Sequence, residues 1–241
     1  MKMLFFLHIP KTGGTYVARN DKVIFPIDDL NHSVFVHKAE NTPGYPPSPG
    51  YLHKMRKDVS LMSTPDRICF ASVRNPYSWL VSYWFHSGCN IPESEKPSHY
   101  DYRLARKGFK QFVATIADRD EGWPSKKFIH FALFSDRGDL MVNRLVHQET
   151  LDVELEQLAT DYDVTYQKKD RAMVSKGKLN YKTYYDEEIY QLVTDTWGRE
   201  LKLFGYDFDG RTGDGILASI ITQEQKQNIK YNWVTDVLEV K

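Results

Sequence analysis

Residues 8–15 read His8-Ile9-Pro10-Lys11-Thr12-Gly13-Gly14-Thr15, which puts a cation, two glycines and two hydroxyls in one short stretch. That combination suits the capture of a phosphate-like anion. Glycine permits a tight turn that brings backbone N–H groups close to a ligand. A helix N-terminus adds about half a positive charge. Lys11 supplies a full charge, and Thr12 and Thr15 supply hydroxyl donors. The apolar run Met3-Leu4-Phe5-Phe6-Leu7 reads as a short buried strand over 3–8, and Tyr16-Val17-Ala18-Arg19 reads as the first turn of a helix over 15–20.

The residue order separates this loop from a Walker A loop, in which the lysine follows the glycines. Here Lys11 precedes Gly13 and Gly14. A Walker B strand ending in a metal-binding Asp is also missing from the pattern, because Asp66 precedes its apolar run. A metal-dependent NTPase is therefore disfavoured, and no metal ligand set is expected.

A second motif begins at Arg74. The run Arg67-Ile68-Cys69-Phe70-Ala71-Ser72-Val73 reads as a buried strand, so Arg74 stands at a strand tip. Asn75 and Pro76 form an N-cap and N1 pair that starts a helix running to His86. Leu80, Tyr83 and Trp84 have the spacing of its packed face. Ser82 lies about two helical turns beyond Arg74. A guanidinium with a nearby hydroxyl suits a second phosphate group, because arginine binds phosphate bidentately.

The elements that must hold these two motifs follow from patterning. Val34-Phe35-Val36-His37 reads as another short strand. Residues 41–51 carry four prolines and two glycines and read as a loop, as do residues 88–100. Helices are expected over 102–117, with Leu104, Phe109, Phe112 and Val113 inward, over 151–158, and over 186–204, ending at Gly205. Short strands alternating with helices give an α/β class with a mainly parallel sheet. In such sheets ligands sit beyond the carboxyl ends of the strands, where both Lys11 and Arg74 fall.

With 241 residues the chain fits one domain, 1–241. Lys+Arg and Asp+Glu both total 32, which argues against a nucleic-acid coat. Cys69 and Cys89 make no disulfide framework and no zinc spacing, so a reducing, cytoplasmic setting is expected. Cys69 reads as a small buried hydrophobe. No run approaches the roughly 18 apolar residues of a membrane span. The N-terminal apolar run is too short for a signal peptide, so a soluble protein with no membrane partner is expected.

His-Ile-Pro-Lys-Thr-Gly-Gly-Thr followed by Arg-Asn-Pro-Tyr-x-x-x-x-Ser-x-Tyr resembles the cofactor signature of sulfotransferases, most closely the carbohydrate and heparan sulfate branch. Gln148-Glu149-Thr150-Leu151 resembles a Glu-x-Leu that often opens a helix in that family. Residues 184–206, ending Phe204-Gly205-Tyr206, resemble its final helix. Trp79 departs from the pattern, since many relatives carry Arg there. The resemblance implies a P-loop nucleotide-kinase-like three-layer α/β fold. It also implies a site for 3′-phosphoadenosine 5′-phosphosulfate (PAPS, leaving PAP) and no catalytic metal.

It further implies roles. Pro10, Lys11, Thr12, Gly13, Gly14, Thr15 and Tyr16 would hold the 5′-phosphosulfate, with Lys11 at the bridging oxygen. Arg74 and Ser82 would hold the 3′-phosphate, with Lys176-Gly177-Lys178 as a basic loop over it. His37 is the first choice of general base, because a His after a strand in this interval often serves in the family. His53, His32 and Glu40 are its rivals. The expected acceptor is a hydroxyl on a glycan or a small molecule, with its pocket formed by loops 38–60 and 86–101. Two other readings are a small-metabolite kinase and a non-catalytic module binding PAPS or another anion.

Overall fold

Parallel strand pairing brings the two motifs to one edge of a sheet. The computed structural model describes residues 3–7, 9, 11–18, 24–26, 67–88, 100–120, 126–135, 137–164, 166, 168, 180–213, 215–218, 228–232, 234–235 and 237–240. Strand β1 is Met3–Leu7, helix α1 is Gly14–Ala18 and strand β2 is Ile24–Pro26. Strand β3, Arg67–Val73, leads into helix α2, Pro76–His86. Helices α3, α4 and α5 follow at Tyr100–Ala105, Phe109–Asp118 and Phe128–Leu133. Strand β4, Arg144–His147, runs through a 3-10 turn, Gln148–Thr150, into helix α6, Leu151–Asp161. A second 3-10 turn, Tyr181–Tyr184, precedes the long helix α7, Glu187–Phe204, and the short helix α8, Gly215–Ala218. Strands β5, Ile229–Asn232, and β6, Val237–Val240, form an antiparallel pair.

Among the described residues the main sheet has the order β2-β1-β3-β4, and every pairing in it is parallel. The expected α/β class with a parallel sheet is therefore present. Alternation along β3 divides the core. Ile68 and Phe70 face one side, where they pack with Leu4, Phe6, Val17 of α1 and Leu151, Leu155 and Leu158 of α6. Cys69, Ala71 and Val73 face the other, against α2, α4 and α7. Helices thus cover both faces, which is what an all-parallel sheet requires. Cys69 is fully buried, as expected of a small hydrophobe.

Local signals explain the helix ends. Asn75 caps α2 by accepting from the Tyr77 amide at 3.0 Å, and Pro76 takes the first helical position. Asp186 caps α7 through the Ile189 amide at 2.9 Å. Gly205 ends α7 in the left-handed region, at φ 70°. Trp79 is buried and stacks on Tyr83 at 5.3 Å between ring centroids.

Several expectations need correction. The single helix over 102–117 is two helices, α3 and α4. Gly108 lies between them at φ 96°, a conformation that no helix interior accepts. The loop expected over 88–100 gives way to α3 at Tyr100. Helix α7 bends at Trp197, where φ is −113° and ψ is 15°. The Thr194 and Thr196 hydroxyls donate to the carbonyls of Tyr190 and Leu192 just before that bend, a back-bonding that curves helices. Strands β2 and β4, helices α5 and α8 and the β5–β6 pair had no forecast. The strand expected over 34–37 and the loop over 41–51 lie outside the described residues. No described helix is long and apolar enough to cross a membrane.

Candidate functional site

The strand order has a switch point. From β1 the chain crosses to β2 on one side, whereas β3 lies on the other side of β1 and leads on to β4. In open parallel sheets the ligand crevice opens where connections diverge in this way. The loop after β1 carries Lys11, and the tip of β3 carries Arg74. Both flank the switch point between β1 and β3.

The Lys11 loop is built from unusual backbone. Lys11 has φ 67° and Gly13 has φ 99°. A side chain at Gly13 would place its Cβ 2.8 Å from Leu151 Cδ2 and 3.5 Å from Gln148 Cγ, so glycine is required twice over there. The Thr12 hydroxyl is buried. It donates to the Ile9 carbonyl at 2.6 Å and meets the Ser72 hydroxyl at 2.7 Å. It ties the loop to β3, which differs from its expected role as an open donor to a ligand.

The Tyr16 and Val17 amides donate to the Gly13 carbonyl at 2.9 and 3.2 Å. The Tyr16 N–H therefore closes the first turn of α1. By helix geometry the Gly14 and Thr15 amides precede that first bond. The Tyr16 ring is buried, and its hydroxyl meets that of Tyr166 at 3.2 Å. Of Thr15 only the backbone is described.

Arg74 joins the two motifs. Its Nη1 donates to the Lys11 carbonyl at 3.2 Å, and its Nε donates to Ser78 Oγ at 2.8 Å. These take two of the five donors a guanidinium carries. Burial lowers the Arg74 guanidinium from its ordinary value, and the nearby Glu149 and Tyr206 pull it back up. The hydroxyl that meets Arg74 is thus Ser78, which sequence spacing missed although it lies one turn along α2. Ser82 lies one turn further on, half-buried.

A third wall comes from the 3-10 turn after β4. Glu149 is exposed. Its Oε1 accepts from the Asn75 amide at 3.3 Å, and its Oε2 accepts from the Tyr206 hydroxyl at 2.6 Å. Burial raises the Tyr206 phenol far above its ordinary value, and the Glu149 charge and hydrogen bond raise it further, so Tyr206 stays a donor. Asn75 Nδ2 donates to the Asp207 carbonyl at 2.8 Å, tying the turn after α7 to the same edge.

His147 ends β4 on this edge and is buried. Its Nδ1 lies 3.0 Å from Glu154 Oε2, and its Nε2 lies 3.0 Å from the Phe204 carbonyl. With an oxygen facing each ring nitrogen, this imidazole is held as a structural pin and is not placed to accept a substrate proton. Arg211 and Thr150 complete the network: both donate to Glu154, and Arg211 also donates to the Thr150 hydroxyl.

The structure therefore brings together Lys11, Thr12, Gly13, Gly14, Tyr16 and Arg74, with Ser82 on the adjoining helix. Pro10, His37, His53, His32, Glu40 and Lys176-Gly177-Lys178 lie outside the described residues. Comparison with family models, with curated proteins and with solved structures found no match to this chain.

Proposed function

We propose that the chain is a sulfotransferase that moves a sulfuryl group from PAPS to an acceptor hydroxyl, by in-line transfer without a catalytic metal. The observation that carries this reading is the 3.2 Å bond from Arg74 Nη1 to the Lys11 carbonyl, which joins the two sulfotransferase-like motifs at the switch point of a parallel sheet. The residues present fit such a donor. They offer one half-buried guanidinium, a lysine in a positive-φ loop and two amides ahead of the first bonded helical turn.

PAPS supplies the sulfuryl group, and the chain positions it and offsets charge. Lys11 is assigned to the negative charge that builds on the leaving phosphate oxygen. The loop from Pro10 to Tyr16 frames the 5′ end, its backbone amides at Gly14 and Thr15 doing the donating. Arg74 and Ser82 take the 3′-phosphate, with Lys176, Gly177 and Lys178 over it. His37 is the assigned general base for the acceptor hydroxyl. The same reading takes the chain as one P-loop nucleotide-kinase-like domain over 1–241, cytoplasmic, acting on a glycan or small-molecule hydroxyl, with no nucleic-acid or membrane partner.

Thermal shift on the purified chain tests this. PAP in the presence of a chelator should raise the melting temperature, and Mg-ATP should not. Transfer of radiolabelled sulfate from PAPS to a panel of glycan and small-molecule hydroxyls should follow. Stabilisation by Mg-ATP alone would favour a kinase, and PAP binding with no transfer to any acceptor would favour a binding module.

A further inference from the structure

Glu149 joins three stretches of chain at the anion-binding edge. It follows β4 directly, where residues Val73 and His147 stand side by side in the sheet. Its two carboxylate oxygens are split between the Asn75 amide, next in chain to Arg74, and the Tyr206 hydroxyl, just past the left-handed end of α7. The flanking residues of its turn, Gln148 and Leu151, pack against Gly13 in the Lys11 loop. One 3-10 turn thus touches both motifs.

A carboxylate beside a phosphate-binding arginine is at first sight a liability, since it repels the anion. The geometry gives it a different task. The Arg74 guanidinium is half-buried, and a charge so placed gains from a nearby carboxylate. Glu149 lies close enough to act on it, and Tyr206 holds the carboxylate in place.

We propose that Glu149 is a positioning residue: by bridging Asn75 and Tyr206 it fixes the strand-to-helix junction and aims the Arg74 guanidinium at the 3′-phosphate subsite. This rests on the PAPS reading above. It adds a residue whose function is discrimination between adenine nucleotides with and without a 3′-phosphate. Tyr206 acts through Glu149, and its loss should reproduce part of the effect.

Calorimetric titration with PAP and with adenosine 5′-phosphate tests the proposal. Glu149→Ala should weaken PAP binding about tenfold, the scale of one charge-assisted hydrogen bond, and leave adenosine 5′-phosphate within about twofold. Tyr206→Phe should weaken PAP in the same selective way by about threefold. Glu149→Gln, which keeps one acceptor, should fall between wild type and Glu149→Ala. Equal loss of both nucleotides, or no loss of PAP, would overturn the proposal by leaving Glu149 only a general support.

A second readout does not need PAP. Glu149→Ala should speed modification of Arg74 by phenylglyoxal, followed by mass spectrometry, relative to Arg144 and Arg199 in the same sample. An unchanged relative rate would overturn the positioning role. A wild type that ignores PAP while Arg74 reacts faster in Glu149→Ala would remove the sulfotransferase reading and leave the positioning of Arg74 standing.

Discussion

His147 and Glu154 are locked together at the end of β4: the imidazole Nδ1 lies 3.0 Å from the carboxylate, and the His147 backbone N–H donates to it at 2.8 Å. Burial alone would raise the Glu154 carboxyl. Hydrogen bonds from His147 and Thr150 and the charge of His147 outweigh that and bring it down to about 2. A carboxyl held below its unfolded value adds stability that is complete above the ordinary carboxylate range and is lost as pH falls toward 2. Urea midpoints measured from pH 6 downward should therefore drop in the wild type and drop less steeply in Glu154→Gln. Identical acid slopes in the two proteins would show that the pair contributes no such linkage.

Removing the Lys11 side chain should abolish transfer while sparing the fold. The residue is half-buried, and its carbonyl rather than its side chain receives Arg74. Lys11→Ala should lose about 100-fold or more in turnover, the scale of one electrostatic stabiliser. Its melting temperature should stay within a few degrees of wild type, about 1 kcal/mol in a domain of this size. A Lys11→Ala enzyme with near-normal turnover would take Lys11 out of the leaving-group role.

Arg74 should tolerate no replacement. Arg74→Lys keeps the charge but loses the fork that reaches Ser78 and Lys11 at once. PAP affinity should fall about tenfold or more in both Arg74→Lys and Arg74→Ala. Competition binding would read this, and unchanged affinity in either variant would remove Arg74 from the nucleotide site.

Gly13 is confined by both its backbone and its surroundings. Gly13→Ala should cost about 1–3 kcal/mol, since the positive φ and the Leu151 contact both resist a methyl group. Pairing it with Leu151→Ala should recover the steric part and leave the backbone part. Denaturant unfolding of the four proteins in this cycle measures the coupling, and strict additivity would show that Leu151 does not confine the loop.

His130 and Glu200 form a second buried pair at 3.3 Å, with side chains only 2% and 3% exposed. His130 also stacks on Tyr231 at 4.5 Å. Glu200→Ala removes one partner and should destabilise by about 1–3 kcal/mol, the scale of a buried polar group left without its neighbour. Glu200→Gln, close in shape, should cost less. Equal unfolding midpoints in wild type and Glu200→Ala would mean that the pair carries no net stability.

What was legible in the sequence was mostly local. Asn75-Pro76, Asp186 and Gly205 mark helix ends because a cap is written within a few residues of the turn it satisfies. The Lys11 loop was legible because its glycines, its lysine and the strand before it are contiguous. Gly108 went unnoticed because Leu104 and Phe109 continue an apolar face across the break, and periodicity cannot see a φ angle. Strand β4 is four residues long, too short for alternation to register. Ser78 is hidden for another reason, since the group it meets, Arg74, stands on the neighbouring strand tip. Glu149 stands out only within the Glu-x-Leu resemblance, and its partners Asn75 and Tyr206 are distant in sequence. The Thr12 role is not legible because a hydroxyl in a loop gives no hint that a strand hydroxyl 60 residues later will claim it.

The pairing of β3 with β4 has a price in time. Residue 73 waits for residue 147 before that ladder can close, because a parallel pair needs a long crossover. A ribosome must therefore finish β4 before the wall bearing Glu149 exists.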